Sequence, residues 1–200
     1  QLHMANKCGL RTPKTIIGND IQVLSKIFDS EADVVVKAIE RSSIRLEDIK
    51  ALEIRFMSFP TRKMKVSQIF HDSERYLNTP VIVQEYIDKK YELRITIVGK
   101  NIFACGIDTQ SNALTKIDSR STAFRDLKHW QVKLPVDIER KLLSYMEAFG
   151  MNFACIDMIL DKNDNYIFLE ANPNGQWLWI EIETGAPIAK SIATELLKPV

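Results

Sequence analysis

Apolar residues along the chain follow two different spacings. Continuous or alternating runs rich in Val, Ile and Phe predict strands, whereas apolar residues three or four positions apart predict helices. The predicted strands cover 33–39, 52–59, 81–87, 92–99, 101–108, 153–160 and 165–172. The predicted helices cover 20–29, 67–77, 136–149 and 187–197, and residues 1–9 are typical of the second half of a helix.

The order of these elements favours an α+β fold with mainly antiparallel sheets. The sequences Gly-Lys-Asn and DKNDN are turn signals that join two pairs of strands into hairpins. The segment 109–134 is polar and is predicted to be irregular. A charged interruption between two apolar strands at 88–91 is the best internal boundary, so we predict two subdomains, 1–88 and 89–200.

Composition restricts the function by exclusion. With 200 residues, 46% of them hydrophobic and 26% charged, the chain fits an ordinary globular protein. A net charge of +1 gives no electrostatic reason to expect nucleic acid or an anionic membrane as a partner. No window is apolar enough for a membrane helix. The phosphate-binding P-loop, the dinucleotide-binding glycine motif and the serine nucleophile elbow are all absent from the sequence.

The cysteines and histidines suggest no chemistry of their own. Three cysteines are too few and too far apart for a disulfide framework. Cys105 and Cys155 lie in strand-like runs and are predicted to be buried free thiols, which fits a cytoplasmic location. His3, His71 and His129 lie in polar or terminal contexts, so we interpret them as surface residues.

Two neighbouring strands carry oxygen-bearing side chains near the C-terminus. A period of two places Phe168, Glu170 and Asn172 on one strand face, and the turn between the strands brings Asp157 opposite 169–170. Three oxygen donors without His or Cys suit Mg²⁺ or Mn²⁺. An exposed hairpin with solvated acids explains the same spacing about equally well.

Charged residues inside apolar strands suggest a second site. Lys37 interrupts VVVKAI and is costly to bury unless it meets an anion such as phosphate; the alternative is a lysine that reaches solvent at a sheet edge. The sequence QEYI at 84–87 ends a strand and could offer free backbone N–H and C=O groups to a heterocycle. Glu92 and Arg94 share a face, where they hold either each other or a sugar hydroxyl and a phosphate.

Several motifs together resemble the ATP-grasp superfamily. They are GLRTPKTIIGN followed by DVVVKAI, then PVIVQEYI-x₄-ELRITIVG-x-x-IFACGIDTQ, FACIDMIL and FLEANPNGQWLWIEIETGAPI. The last is the most specific, and it is most similar to the microviridin-type or graspetide maturases that crosslink ribosomal precursor peptides. The resemblance covers nearly the whole chain and implies an ATP-grasp fold, with two α+β subdomains that hold a nucleotide between them.

The resemblance also implies ATP and Mg²⁺ as cofactors. The residues that would contact ATP are Lys37 at the α- or β-phosphate, Glu92 at a ribose hydroxyl, Asn172 beside the metal, and Gln84, Glu85, Tyr86 and Ile87 around the adenine. The metal ligands would be Asp157, Glu170 and Asn172. Arg94 and Arg120 would face the γ-phosphate or an acyl phosphate. Gly175 and Gln176 would let the backbone turn close to the reaction centre, and Trp177 and Trp179 would pack the closing segment against the core.

The implied activity is ligation of a side-chain carboxylate of a precursor peptide to a hydroxyl or amine, through an acyl phosphate. An amino-acid-adding ligase similar to the glutamate-tailing ATP-grasp enzymes is the alternative, and a truncated peptide-binding module without catalysis is another. The family also leads us to expect a homodimer. The sequence departs from the family twice, because residues 40–60 contain no glycine for the phosphate lid and because the N-terminal domain is expected to be absent from this chain.

Overall fold

The computed structural model describes residues 1–39, 43–45, 56–58, 61–72, 80–111, 115–117 and 127–198. The chain forms two compact units. The larger unit combines Gln1–Thr12, Ile87–Lys116 and Thr122–Val200, and the smaller unit combines Pro13–Tyr86 and Ile117–Ser121. The subdomains 1–88 and 89–200 stay a prediction; the compact units differ from them by grouping residues 1–12 with the C-terminal half.

The described residues of the smaller unit form a four-stranded antiparallel sheet with two helices and a further short strand pair. Its strands are β1 (Thr15–Gly18), β2 (Asp33–Ala38), β5 (Arg62–Lys65) and β6 (Val81–Glu85), in the order β1-β6-β2-β5, and β3 (Ser43–Arg45) pairs separately with β4 (Phe56–Ser58). One face of the larger of these sheets packs on α2 (Ile21–Ile27) and α3 (Val66–His71). Asp20 starts α2 by accepting a hydrogen bond from the Gln22 N–H, as a helix cap does.

The larger unit is built on a five-stranded antiparallel sheet in the order β11-β10-β7-β8-β9. The strands are β7 (Lys89–Val98), β8 (Asn101–Ile107), β9 (His129–Val132), β10 (Phe153–Asp161) and β11 (Tyr166–Asn172). Its helices are α1 (Leu2–Lys7), α4 (Val136–Ala148), α5 (Leu178–Thr184) and α6 (Ile188–Leu196). The main core lies between one sheet face and α1 and α4, and a second cluster packs residues of α5 and α6 against β7 and β8.

Most predicted elements are present, and the departures concern short ones. Of the predicted strand 52–59 and helix 67–77, only parts lie within the described residues. The irregular segment 109–134 contains β9, whose polar residues alternate with Trp130 and Val132 and which pairs with β8. The helix α5 was not expected, because no capping side chain marks its start at Trp177.

No helix in the described part of the chain is both long and apolar enough to cross a membrane.

Candidate metal and nucleotide site

Two carboxylates face each other across the strands β10 and β11. Asp157 is the ladder partner of Glu170, and Cys155 is the partner of Asn172. Directly opposed residues of an antiparallel pair lie on the same face, so Asp157, Glu170 and Asn172 share one face of the sheet. The sequence-based expectation that these three residues come together on one sheet face is therefore confirmed by the register, while their role as metal ligands stays a prediction.

The prediction that Phe168 shares this face is wrong. Phe168 pairs with Met158, whereas Glu170 pairs with Asp157, so Leu169 is an extra residue in β11. Such a β-bulge shifts the alternation of side chains by one position. Phe168 can therefore enter the main core, where it is fully buried, and Glu170 still points to the opposite, exposed face.

Arg94 of β7 lies on the same sheet face as the two acids and is the ladder partner of Asp157. Its Nη1 donates to Asp157 Oδ1 at 2.8 Å, and its Nη2 donates to the Gln176 carbonyl at 3.3 Å. The side chain is 15% exposed, and its Nε is buried without a hydrogen-bond partner among the described residues. Nη1 and Nη2 each use one of their two N–H groups in these bonds, so the guanidinium has donor capacity left over for an anion beside Asp157.

The Asp157 carboxyl has a raised pKa. Burial raises the pKa of Asp157 to about 6, Arg94 opposes this shift, and the charges of Glu170 and Glu92 add to it. A divalent cation would offset both burial and repulsion between the acids. The donor set of two carboxylates and an amide therefore fits Mg²⁺.

Asn172 ends β11 in a tight turn. Its Oδ1 accepts from the Asn174 N–H at 2.9 Å, and its backbone carbonyl accepts from the Gly175 N–H at 3.2 Å. A carbonyl oxygen has two lone pairs, so the Asn172 amide can still bind a metal while it holds this turn.

The turn brings the backbone of Gly175 against β10. A Cβ atom at Gly175 would lie 2.3 Å from the Cys155 Cβ and 3.0 Å from the Arg94 Nη2, so only glycine fits. The Cys155 Sγ donates a hydrogen bond to the Gln176 carbonyl at 3.7 Å. The same sulfur forms a hydrogen bond with the Thr96 Oγ1 at 3.6 Å. The predicted burial of Cys155 and Cys105 as free thiols is confirmed.

Glu92 and Arg94 do not hold each other. Glu92 forms an ion pair with Lys89, whose side chain is 4% exposed, while Arg94 binds Asp157. Lys89 was missed because it appears in the sequence only as part of a charged link. Asp161 pairs with Lys89 and Leu160 with Tyr91, so the bulge at Lys90 decides which lysine points inward.

The predicted phosphate lysine lies in the smaller unit. Lys37 Nζ donates to Gln84 Oε1 at 2.9 Å, and Gln84 Nε2 donates to Thr15 Oγ1 at 3.0 Å. Gln84 is 4% exposed, so this chain of polar groups has a defined orientation. The strand β2 lies between β6 and β5 in the sheet, but its pairing with β5 ends at Val36, so Lys37 has a ladder partner only in β6.

The strand end at 84–87 offers fewer free backbone groups than expected. The Glu85 N–H donates to the Lys14 carbonyl at 2.9 Å and the Tyr86 N–H to the Asp33 carbonyl at 3.1 Å. The expectation of free N–H groups is therefore wrong for these two residues. Residues 84–86 belong to the smaller unit, whereas Ile87 belongs to the larger unit.

Other predicted features divide into two groups. Arg120 and most of the lid segment 40–60 lie outside the described residues. Trp177 and Trp179 do pack against the second apolar cluster, as predicted.

The interpretation of His129 as a surface residue is wrong. Its side chain is 2% exposed, and its Nδ1 lies 4.0 Å from Glu183. The imidazole packs on Trp179 with ring centroids 5.2 Å apart, and burial lowers the pKa of His129. Because the sequence around His129 is polar, the strand β9 was not predicted. This strand places His129 against Trp179 of α5. His3 and His71 are exposed, as predicted.

Within the described ranges, no three His, Cys, Asp or Glu side chains form a metal-binding group. The predicted set differs from such a group because one of its three donors is the Asn172 amide.

Comparison with known proteins identifies the fold class and then the family. The chain aligns with solved ATP-grasp ligases, which confirms the predicted ATP-grasp fold. It belongs to the family described as RimK-like ATP-grasp domain, whose sequence model matches residues 2–196. Comparison with curated proteins gives no match.

Two of the similar structures contain bound peptides. One is a Chryseobacterium gregarium RiPP-associated ATP-grasp ligase in complex with ADP and a leader and core peptide, with 30% identity, a TM-score of 0.85, and 96% of this chain and 56% of that chain covered. The other is the macrocyclase MdnC of Microcystis aeruginosa MRC bound with precursor peptide MdnA, with 30% identity, a TM-score of 0.79, and 98% and 57% covered. The chain thus spans a little over half the length of these relatives.

Proposed function

We propose that this chain is the ATP-grasp part of an ATP- and Mg²⁺-dependent ligase that crosslinks a ribosomal precursor peptide. In this reaction a side-chain carboxylate of the peptide attacks the γ-phosphorus of ATP, and ADP leaves. A hydroxyl or amine then attacks the acyl carbon, phosphate leaves, and an ester or amide forms as the nucleophile loses its proton to solvent. The observation that carries the proposal is the opposed pair of Asp157 and Glu170, with Asn172 and Arg94 on the same sheet face.

The larger unit would supply the charge needed for phosphoryl transfer. Asp157, Glu170 and Asn172 would hold Mg²⁺, which when bound neutralises phosphate charge. Arg94 can bind a phosphoryl or acyl phosphate oxygen because each of its Nη groups uses only one of its two N–H groups on protein oxygens. Positioning and charge neutralisation are the main requirements of this reaction, so no covalent protein nucleophile is needed.

Lys37, a residue of the smaller unit, is proposed to contact a phosphate of ATP. Lys37 is held by Gln84, and Gln84 by Thr15, so the ammonium is oriented before a nucleotide arrives. The Gln84 side chain is itself buried. Although Gln84 belongs to the proposed adenine site, its side chain would act by positioning Lys37. The contact of Glu92 with a ribose hydroxyl requires its ion pair with Lys89 to leave one carboxylate oxygen available.

The peptide partner is proposed by analogy with the relatives, whose structures contain leader, core or precursor peptides. An amino-acid-adding ligase is the second candidate, and the family match with RimK-like domains is the observation that favours it. The two differ in cosubstrate, since only the second would use a free amino acid. Homodimerisation and a cytoplasmic location remain predictions.

Isothermal titration with a non-hydrolysable ATP analogue tests the site first. We expect binding to the wild-type protein to tighten with Mg²⁺, and this metal dependence to be lost in Glu170→Gln. The matched control is Asp137→Asn, which neutralises an exposed acid of α4 that is paired with Lys141. Equal metal dependence in Glu170→Gln and the control would contradict the proposed site.

Release of ADP tests the reaction. We expect ADP formation to require a precursor peptide with leader and acidic core. Stimulation by free glutamate instead would favour the amino-acid-adding ligase. Peptide binding that is indifferent to ATP, without ADP release, would favour a non-catalytic peptide-binding module.

A further inference from the structure

The side-chain amide of Gln1 pairs with the backbone of Ala171 in both directions. Gln1 Nε2 donates to the Ala171 carbonyl at 2.9 Å, and the Ala171 N–H donates to Gln1 Oε1 at 2.9 Å. The two groups thus satisfy each other as neighbouring strands do, although they are separated by 170 positions in the chain.

Ala171 occupies a sensitive position. It lies between Glu170 and Asn172 in β11, and β11 is at the edge of the five-stranded sheet. One row of backbone groups on an edge strand has no partner within the sheet. At Ala171 the Gln1 amide binds these unpaired N–H and C=O groups. The backbone between Glu170 and Asn172 is therefore held on the side that faces away from β10.

A second contact holds the same edge on the other side of the bulge. The Phe168 N–H donates to the Arg11 carbonyl at 2.8 Å, and Arg11 forms a parallel bridge with Ile167. The extra residue Leu169 and the acid Glu170 therefore lie between two anchors that both come from residues 1–12. Because a bulge loosens the ladder locally, the direction of the Glu170 carboxylate depends on these anchors.

We infer that Gln1 is a positioning residue for the metal-binding pair Glu170 and Asn172. The inference rests on the proposed function, since it assumes that these two side chains bind Mg²⁺. Gln1 does not contact the metal. Its amide prevents the peptide units around Ala171 from rotating, and this rotation would separate the Glu170 carboxylate and the Asn172 amide from Asp157. Partners of metal ligands commonly act in this way.

The test compares Gln1→Ala and Gln1→Glu with the wild-type protein. Alanine removes both hydrogen bonds, and glutamate keeps the acceptor but sets a carboxylate against the Ala171 carbonyl. The matched control is Arg11→Ala, which removes the side-chain bond to Asn165 on the same edge but leaves the backbone anchor. The readouts are the Mg²⁺ concentration at half-maximal binding of the ATP analogue, its affinity without metal, and the melting temperature.

We expect both Gln1 variants to raise the half-saturating Mg²⁺ concentration ~10-fold, the lower end of the effect of such partners, with unchanged metal-free affinity. Arg11→Ala should shift only the melting temperature. The inference is overturned if wild type and Gln1 variants need the same Mg²⁺ concentration, even if the variants melt earlier. A wild-type protein without any metal dependence would overturn the proposed function and this inference together, and the Gln1 variants are not needed to recognise that outcome.

Discussion

Arg94 and Asp157 form an ion pair across the neighbouring strands β7 and β10, with Arg94 Nη1 2.8 Å from Asp157 Oδ1. The pair compensates a carboxylate that burial would otherwise keep protonated. The same guanidinium binds the Gln176 carbonyl, so one side chain connects the acid pair with the turn that follows β11. Stability and the arrangement of the site therefore depend on the same contact.

Replacing Arg94 with alanine should leave Asp157 half-buried without its counter-charge. We expect the free energy of unfolding at neutral pH to fall by about 2 kcal/mol, and less with Arg94→Lys, which keeps the charge. The cost should shrink in acid, because a protonated Asp157 no longer needs the guanidinium. Urea unfolding at several pH values measures this, and a cost that does not change with pH would contradict the assignment.

The raised pKa of Asp157 has a definite effect on stability in the absence of metal. The folded protein binds the Asp157 proton more tightly than the unfolded chain, whose ordinary pKa is 3.8, and releases it at about 6. Between these values the contribution of Asp157 to the free energy of unfolding falls as the pH rises. The Asp157→Asn variant lacks this proton, so its stability relative to wild type should improve between about pH 4.5 and about pH 7. Urea unfolding with EDTA at both pH values measures the difference, and parallel changes in the two proteins would argue against it.

The acid pair could be predicted from sequence because it is local. Asp157 and Glu170 lie on either side of one short turn, and the turn position places Asp157 opposite 169–170; the choice of Glu170 as its partner depends on the bulge. The bulge at Leu169 could not be predicted, since it arises from the packing of Phe168 in the main core. The contact of Gln1 with Ala171 joins opposite ends of the chain, and no local pattern indicates it.

Lys89 and Lys90 are adjacent in sequence and differ in surroundings. Lys89 is buried with Glu92, whereas Lys90 pairs with Asp164 on the surface. We expect Lys89→Met to destabilise the protein by about 3 kcal/mol, because it leaves a largely buried carboxylate without its partner. Lys90→Met should cost less than about 1 kcal/mol.

The double variant Lys89→Met/Glu92→Gln provides the control for this pair. It removes both charges, so it should recover part of the stability lost in Lys89→Met. Chemical unfolding of wild type, Lys89→Met, Lys90→Met and the double variant gives the free energies of unfolding to be compared. Equal costs for the two lysines would show that Lys89 is not held in the buried ion pair.

The three thiols should differ in reactivity. Cys105 and Cys155 are fully buried, and burial raises the pKa of Cys105 to about 11 and also raises that of Cys155. Cys8 is only half-buried. A disulfide reagent should therefore modify Cys8 at least ~10-fold faster than the other two in the folded protein. Mass spectrometry after timed labelling identifies the site, and a fast thiol remaining in Cys8→Ser would contradict the burial of the others.

Gly175 should tolerate no side chain. The Cβ of Gly175→Ala would overlap the Cys155 Cβ at 2.3 Å and approach Arg94 at 3.0 Å, so the turn after Asn172 must move away from β10. We expect a loss of about 1–3 kcal/mol of stability and a weaker response of ATP-analogue binding to Mg²⁺, because the moved turn changes both Asn172 and the Gln176 carbonyl that Arg94 binds.

A double-variant cycle separates this overlap from a general effect of alanine in the turn. Cys155→Gly removes the atoms that the new methyl group would meet, so Gly175→Ala should cost less in a Cys155→Gly protein than in wild type. The cycle is measured by urea unfolding and by the Mg²⁺ titration in parallel. If the two substitutions are additive in both measurements, the turn does not pack on Cys155. If stability is coupled but the Mg²⁺ response is not, the turn is a structural support that does not position Asn172.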